Sequence, residues 1–530
     1  MESMLARLEQ VIWGWPLLLL ILGTGLLLTL RLRFLPFRKL PRAMGLLFSR
    51  GRKGSGVSPF GAFCTAMSAT IGTGNLVGVA TALALGGPGA LLWMELSAVT
   101  GMAVKYAEGL LAAKYRFTGP NGEKWGGPFA YILLGLGQRW KPLAVLFALF
   151  GALAGLCGVG TFVQIGSFTA CLRLWLGSFS QPAAELSLLG KAVPLSSVLL
   201  GPLLAGAAGV LIVGGIRRIS RASSVLVPLM GGLYLFCCLW ILCVRLPELP
   251  RVLGTVLREA VRPRAAFGGL LGAVQAGVSR GVFSNEAGVG TAPIAAAAAD
   301  TPDPVHQGLI SMTAAVFDTL LICTLTGLVI LLAGTWQGGV SAVMDAFACT
   351  LPLPETVSRG IVVLCLGLFS FTTVVSWSYY GFSCLRFLTG DRAPVRRFYL
   401  AVYLLTAAIA PIFSVRAVWM AANVCNGLMA VPNLIAILCL QKQVILDSRD
   451  IMEQKPKKRV LRKEKGVAYV RAAEGHHPPG RRDRSLRRGS GSWRPGEDRP
   501  PGSGHKVRYA GAGIPEKRAP VPAAPGGFFG

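Results

Sequence analysis

Charge is what this sequence has least of. Asp, Glu, Lys and Arg make up 15% of its 530 residues, against about a quarter in soluble globular domains. So few charges cannot cover a water-exposed surface of that size, which excludes an ordinary soluble chain. The scarcity is uneven. Up to about residue 440, apolar runs of membrane-spanning length alternate with short charged stretches, and the last ninety residues contain almost no such run.

Acids are scarcer than bases, 24 against 53, for a formal net charge of +29. A nucleic-acid binder would gather that excess into one groove. Here 21 Lys and Arg against nine acids fall in residues 441–530, and most of the others sit in short loops between apolar runs. That is the pattern of cytoplasmic loops. Lys455, Lys457, Lys458 and Arg459 are placed to meet anionic lipid head groups. The partners to expect are lipids and small solutes, with no nucleic acid and no obligate protein partner. Four His offer no metal set, and the twelve Cys lie mostly inside apolar segments without repeated spacing, so neither a zinc site nor a disulfide framework is indicated. HExxH is absent and no close carboxylate pair occupies the polar positions, so an enzyme is not expected, nor any cofactor.

The first run, Val11–Leu30, has no charge; Glu2 and Glu9 precede it and Arg31 and Arg33 follow. It reads as a retained transmembrane helix rather than a signal peptide. Ten more spans are expected at about 58–87, 89–112, 142–172, 196–216, 225–244, 266–298, 307–334, 359–385, 398–413 and 416–440. The fold class is therefore all-α integral membrane, with about 11 transmembrane helices. Loop 31–54 carries eight basic residues and no acid, which assigns it to the cytoplasm. Alternation then puts the N-terminus outside, and places Lys114–Lys141, the Arg217–Arg221 turn, Arg386–Arg397 and the tail inside. Loop 245–264, with five arginines, runs against the rule. The Pro-, Gly- and Arg-rich tail is expected to be disordered.

Two spans are interrupted by glycine and polar groups together. The second contains Ala69-Thr70-Ile71-Gly72-Thr73-Gly74-Asn75-Leu76-Val77-Gly78, and the seventh runs from Ser279 to Thr291 through Ser284-Asn285-Glu286-Ala287-Gly288. Gly74-x-x-x-Gly78 is also a spacing for close helix packing, but packing alone has no use for Thr73 and Asn75. Unwound backbone inside a bilayer is tolerated where it lines a cavity, and broken helices present free N–H groups to a carboxylate and carbonyls to a cation. With the first helix set aside, ten spans divide into two sets of five, each opening on its broken helix. Five is odd, so the second set is inverted: the plan of many secondary transporters. The expected divisions are 1–57, 58–244, 245–440 and a tail at 441–530.

Residues 60–128, with "IGTGNLVGVATALALGGPGALLWMELSAVTGMAVKYAEGLLAAKYR" and "GGPFAYI", resemble the alanine/glycine:cation symporters. So do "RGVFSNEAGVGTAPIAAAAADTPDPVHQG" at 280–308, "VFDTLLICTLTG" at 316–327 and "NGLMAVPNLIAI" at 426–437, over roughly residues 10–445 in co-linear order. The resemblance implies a sodium-coupled carrier of alanine or glycine in the plasma (inner) membrane, with the LeuT-type fold, a 5+5 inverted repeat and one extra N-terminal helix. It implies that Gly72, Thr73, Gly74 and Asn75 bind the substrate carboxylate, joined by Gln164, Ser284, Asn285 and Trp377. Asn75, Thr372 and Thr373 are the implied cation ligands, and Glu286 and Asp318 gating or structural groups. Lys105 and Glu108, three apart, are expected to pair on one helix face. Acids inside apolar spans are costly, which leaves proton coupling through Glu95 or Asp318 as the alternative to sodium.

Overall fold

In the computed structural model, residues 2–48, 56–119, 122–177, 185–188, 191–261, 269–301, 303–413 and 415–453 are described. Helix α1, Glu2–Ile12, and α2, Trp15–Arg31, together form the first span; Pro16 opens α2, where a missing N–H costs nothing. The helices that follow and position the site are α3, Pro59–Thr70; α4, Val79–Gly86; α5, Ala90–Lys114; α6, Lys141–Cys157; α7, Phe162–Gly177; α8, Leu195–Ile212; and α9, Gly215–Val244. Then come α10, Leu249–Val261; α11, Gly269–Asn285; α12, Ala292–Ala298; α13, Pro304–Ala315; α14, Thr324–Ala333; α15, Glu355–Thr389; α16, Ala393–Ile409; α17, Val415–Asp447; and α18, Arg449–Glu453.

Outside the two breaks, the expected segments are largely helical in their described residues. Among the described residues, seven helices are long and apolar enough to cross a bilayer; α3 with the Gly74–Gly86 segment, bent by 51°, makes an eighth. The other three fall short for local reasons. α5 carries Glu95, Lys105, Glu108 and Lys114, α8 is short, and the seventh span is split between α11 and α12.

The all-α expectation missed two antiparallel hairpins. β1, Arg116–Thr118, pairs with β2, Lys124–Gly126, and β3, Glu185–Leu188, with β4, Lys191–Pro194. In the first, Phe117 and Trp125 face each other across the turn with ring centroids 4.8 Å apart, a cross-strand pair that favours the ladder. The arginine-rich segment that ran against the charge rule is largely α10, which buries Val252, Val256 and Ala260 and exposes Arg251 and Arg258 on the other face. The tail begins later than expected, because α17 continues to Asp447 and α18 to Glu453; residues 454–530, including Lys455–Arg459, lie outside the described residues.

Small residues let the central helices touch backbone to backbone. A Cβ on Gly277 would fall 2.3 Å from the Ala90 carbonyl oxygen, and one on Gly308 2.8 Å from that of Tyr106, so α5 packs closely on both α11 and α13. The outer faces expose Leu199, Leu203, Val225, Leu229 and Phe236, the surface a lipid environment covers.

Polar loops gather at one end of the bundle. There Lys114 meets Asp447 at 2.7 Å and Lys124 meets Asp300 at 2.9 Å. Arg386 reaches Glu123 at 2.6 Å and Asp391 at 2.5 Å, with its guanidinium 4.3 Å from the Trp125 ring centroid. At the other end the Trp13 indole donates to the Asn423 carbonyl (2.8 Å) and that of Trp93 to the Ala260 carbonyl (3.1 Å).

Candidate functional site

The first break follows α3. Ile71 is extended (φ −71°, ψ 98°), and the chain re-enters a helix through a wide π turn, Gly74–Gly78, before α4. Gly72 occupies a position where a Cβ would lie 2.9 Å from both Gln164 Oε1 and Thr373 Oγ1. The Gly72 N–H donates to Asn75 Oδ1 at 3.0 Å and the Thr73 N–H to Gln164 Oε1 at 3.2 Å. Two donors expected to receive a carboxylate are thus held by the protein's own side chains. The Thr73 hydroxyl is buried without a hydrogen-bond partner.

The carbonyls freed by the same break converge on α15. Thr373 Oγ1 lies 3.0 Å from the Ser68 carbonyl, 3.3 Å from that of Ile71 and 2.9 Å from that of Phe369. One hydroxyl proton serves only one of three acceptors; Phe369 lies within the continuous helix α15, so the carbonyls that the break leaves over are those of Ser68 and Ile71. Thr372 is turned aside, its hydroxyl 3.0 Å from the Phe369 carbonyl and 3.4 Å from Met230 Sδ. Ser68 Oγ meets Ser376 Oγ at 2.5 Å and Ser223 Oγ at 3.0 Å.

The second break runs from Glu286 to Thr291, between α11 and α12. Glu286 is left-handed (φ 54°), as are Gly288 (φ 85°) and Gly290 (φ 92°), and the Thr291 hydroxyl donates back to Glu286 Oε2. The bend is held from behind. Glu108 Oε1 accepts from the Gly288 N–H at 3.1 Å and from Asn433 Nδ2 at 2.8 Å; Asn433 Nδ2 also donates to the Gly288 carbonyl at 2.8 Å, and the Tyr131 hydroxyl donates to Asn433 Oδ1. Glu108 therefore does not pair with Lys105 as expected. The Lys105 ammonium is fully buried without a hydrogen-bond partner, because Glu108 turns toward the glycine bend instead.

Asp318 joins the two breaks. It sits in a π-helical segment, Val316–Cys323, between α13 and α14, where the widened turn carries its carboxylate inward. Asn75 Nδ2 donates to Oδ1 at 2.8 Å; Ser284 Oγ and Thr319 Oγ1 donate to Oδ2 at 2.8 and 2.9 Å. Asn285 donates to Thr319 Oγ1 at 3.2 Å and accepts the Ala287 N–H at 2.9 Å. Gly74 lets the breaks approach, since a Cβ there would stand 3.2 Å from Ser284 Cα. Two discontinuous helices bridged by a buried carboxylate, with converging carbonyls on one side, are the arrangement that holds a small ion and a small solute at mid-membrane.

The profile of the Sodium:alanine symporter family matches residues 1–465. This chain belongs to that family. An uncharacterised transporter of Haemophilus influenzae is 44% identical over 461 residues, covering 86% of this chain and 96% of its own. The sodium/alanine symporter AgcS of Methanococcus maripaludis is 39% identical over 466 residues (85% and 97%), and the probable sodium/glutamine symporter GlnT of Bacillus subtilis 34% over 459 (86% and 91%). The fold is that of MhsT, solved in complex with L-phenylalanine, at a TM-score of 0.52 and 14% identity, covering 76% of this chain and 97% of MhsT. Membership makes the chain a multi-pass, cation-coupled amino-acid symporter.

Within this symporter the remaining expected residues fall close by. Trp377 is one turn beyond Thr373 on α15, fully buried, edge-on to Tyr380 and against Gly160, with its indole N–H unpartnered. Glu95 is half-buried beside Thr324. Sequence reasoning missed Ser68, Tyr131, Thr319 and Asn433, and misassigned Glu108. Asn433 lay inside a family motif, whereas Ser68 looked like any small residue of a packed helix. Gly277-Val278-Ser279-Arg280-Gly281 spells G-x-S-x-G, but inside α11 rather than at a strand-to-helix turn, so it is no nucleophile elbow.

Proposed function

We propose that this symporter couples inward sodium movement to uptake of alanine or glycine by alternating access across the plasma membrane, with eleven spans, the N-terminus outside and the C-terminus cytoplasmic. The observation that carries this reading is the convergence of the Thr373 hydroxyl with the carbonyls of Ser68, Ile71 and Phe369 at a helix break. The Ser68 and Ile71 carbonyls, at the break itself, are hard oxygen ligands suited to sodium. Thr372 and Asn75 complete the cation ligands by small rotations.

The substrate carboxylate then takes the N–H groups of Gly72, Thr73 and Gly74 in place of Asn75 and Gln164, at the positive end of a half-helix. The bare Gly72 and Gly74, with Gln164, Ser284, Asn285 and Trp377 around them, favour a short side chain. Glu286 and Asp318 hold the breaks as structural and gating groups. Two relatives named for alanine, one a sodium symporter and the other a putative sodium/proton-dependent carrier, support the cargo.

Labelled alanine uptake into proteoliposomes, with and without an inward sodium gradient, tests the proposal; no gradient-dependent accumulation of alanine or glycine overturns it. Glu95, whose Oε1 is buried and unpartnered, favours a second reading in which protons couple. Uptake that persists when choline replaces sodium would select it.

A further inference from the structure

A cavity of about 250 Å³ opens at the end of the bundle opposite the clustered loops, between α1, α11 and α17. An acidic and a basic side chain enter it, Glu9 from α1 and Arg280 from α11, each largely shielded (22% and 16% exposed). Asn423 Nδ2 anchors Glu9 Oε1 at 2.5 Å, while Arg280 Nη2 stands 3.9 Å from the same oxygen, beyond hydrogen-bond distance. A guanidinium and a carboxylate held apart in a partly desolvated space leave strong hydrogen-bonding capacity unused.

The cavity is stacked directly over the two breaks. Arg280 lies 5.7 Å from the Trp419 ring centroid, and Trp419 lies 4.8 Å from Phe283. Phe283 immediately precedes Ser284 and lies against Gly74, where a Cβ would be 3.5 Å from its ring. One aromatic layer therefore separates the cavity from the central site.

We propose that this cavity is a second binding site, taking a small zwitterionic amino acid with its carboxylate on Arg280 and its ammonium on Glu9. Insertion replaces one long ion pair by two charge-assisted hydrogen-bonded pairs, and the guanidinium fork suits a carboxylate in particular. The volume lies below the usual ligand pocket of about 300–1,000 Å³, which excludes large cargo. Helix α1 stands outside the two five-helix sets, so the acid half of this site comes from the extra N-terminal helix.

The inference rests on the amino-acid cargo argued above. Labelled alanine binding to the purified full-length protein, with the central site disabled by Asn75→Ala, is expected to retain one sodium-independent equivalent that Glu9→Gln removes. In the otherwise native chain, Glu9→Gln and Arg280→Gln each raise the KM for uptake about tenfold, the worth of one hydrogen bond to a charged group, and the double variant goes little further. An Asn75→Ala protein that binds no alanine overturns the proposal, as does a Glu9→Gln effect confined to the maximal rate, the mark of altered helix packing. A native protein that neither binds nor moves alanine or glycine overturns the cargo reading, and shows itself before any variant is made.

Discussion

Asn75 donates its side-chain amide to Asp318 Oδ1 at 2.8 Å while its Oδ1 receives the Gly72 N–H at 3.0 Å. One residue thus closes the first helix break and ties it to a carboxylate on another helix, which Ser284 of the second broken span also reaches. Asn75→Ala is expected to abolish sodium-dependent uptake while the protein still purifies as a monodisperse species. Retained uptake would move the cation and carboxylate sites away from this break.

Asp318→Asn keeps the shape of the carboxylate but removes its charge, and its NH2 faces the Ser284 and Thr319 hydroxyls, which must turn from donors to acceptors. Losing hydrogen bonds to a buried charged group costs about 1.5–3 kcal/mol each, so roughly a hundredfold loss of apparent alanine affinity is expected. A saturation curve of uptake against alanine measures it; an unchanged curve removes Asp318 from the site's support.

Thr373→Val preserves volume and removes the hydroxyl shared by the Ser68, Ile71 and Phe369 carbonyls. The sodium concentration for half-maximal uptake should rise about tenfold or more, and Thr373→Ser should restore it. Equal sodium dependence in all three proteins would sink the assignment.

Gly290→Ala forces a side chain onto a residue at φ 92° with its Cβ 2.7 Å from Pro128 Cγ. Left-handed strain costs about 1–3 kcal/mol before the clash is added, so the melting temperature in detergent should fall. Gly334→Ala, at φ 74° with nothing within 4 Å, should cost less. The reverse order would contradict the tight packing at the second break.

Lys105→Met removes a fully buried ammonium that has no hydrogen-bond partner, and puts a side chain of similar length in its place. The ammonium is also the countercharge nearest the buried carboxylates of Glu108, Glu286 and Asp318, and removing one sign from a buried charge cluster is destabilising, so this variant should melt lower than the native protein. A higher melting temperature would mean that the missing hydrogen bonds outweigh the countercharge.

The membrane plan was legible because apolar run length is set by bilayer thickness, and both helix breaks were legible because glycine beside Asn, Ser and Thr has no place in a plain span. The roles within the breaks were harder to read. Gln164 and Asn75 looked like substrate contacts, yet each caps an N–H of the unwound turn, and sequence spacing does not say which donor a side chain will meet. Glu108 looked like a partner for Lys105 by helical spacing; Gly288 and Asn433, 180 and 325 residues away, took it instead. The hairpin at Arg116–Gly126 was hidden because three-residue strands carry almost no periodicity.

Both ends of the bundle are held by short ion pairs: Lys114 with Asp447, Lys124 with Asp300, and Arg386 with Glu123 and Asp391 at the loop-bearing end, and Arg245 with Glu248 and Arg359 with Asp345 and Glu355 at the opposite end. Mobile ions screen partly exposed pairs, with a Debye length of about 8 Å at physiological strength. Raising the ionic strength on either side therefore loosens the contacts on that side alone. The long contact between Arg280 and Glu9, shielded in its cavity, is screened least. Each face of the carrier thus answers to the electrolyte it meets.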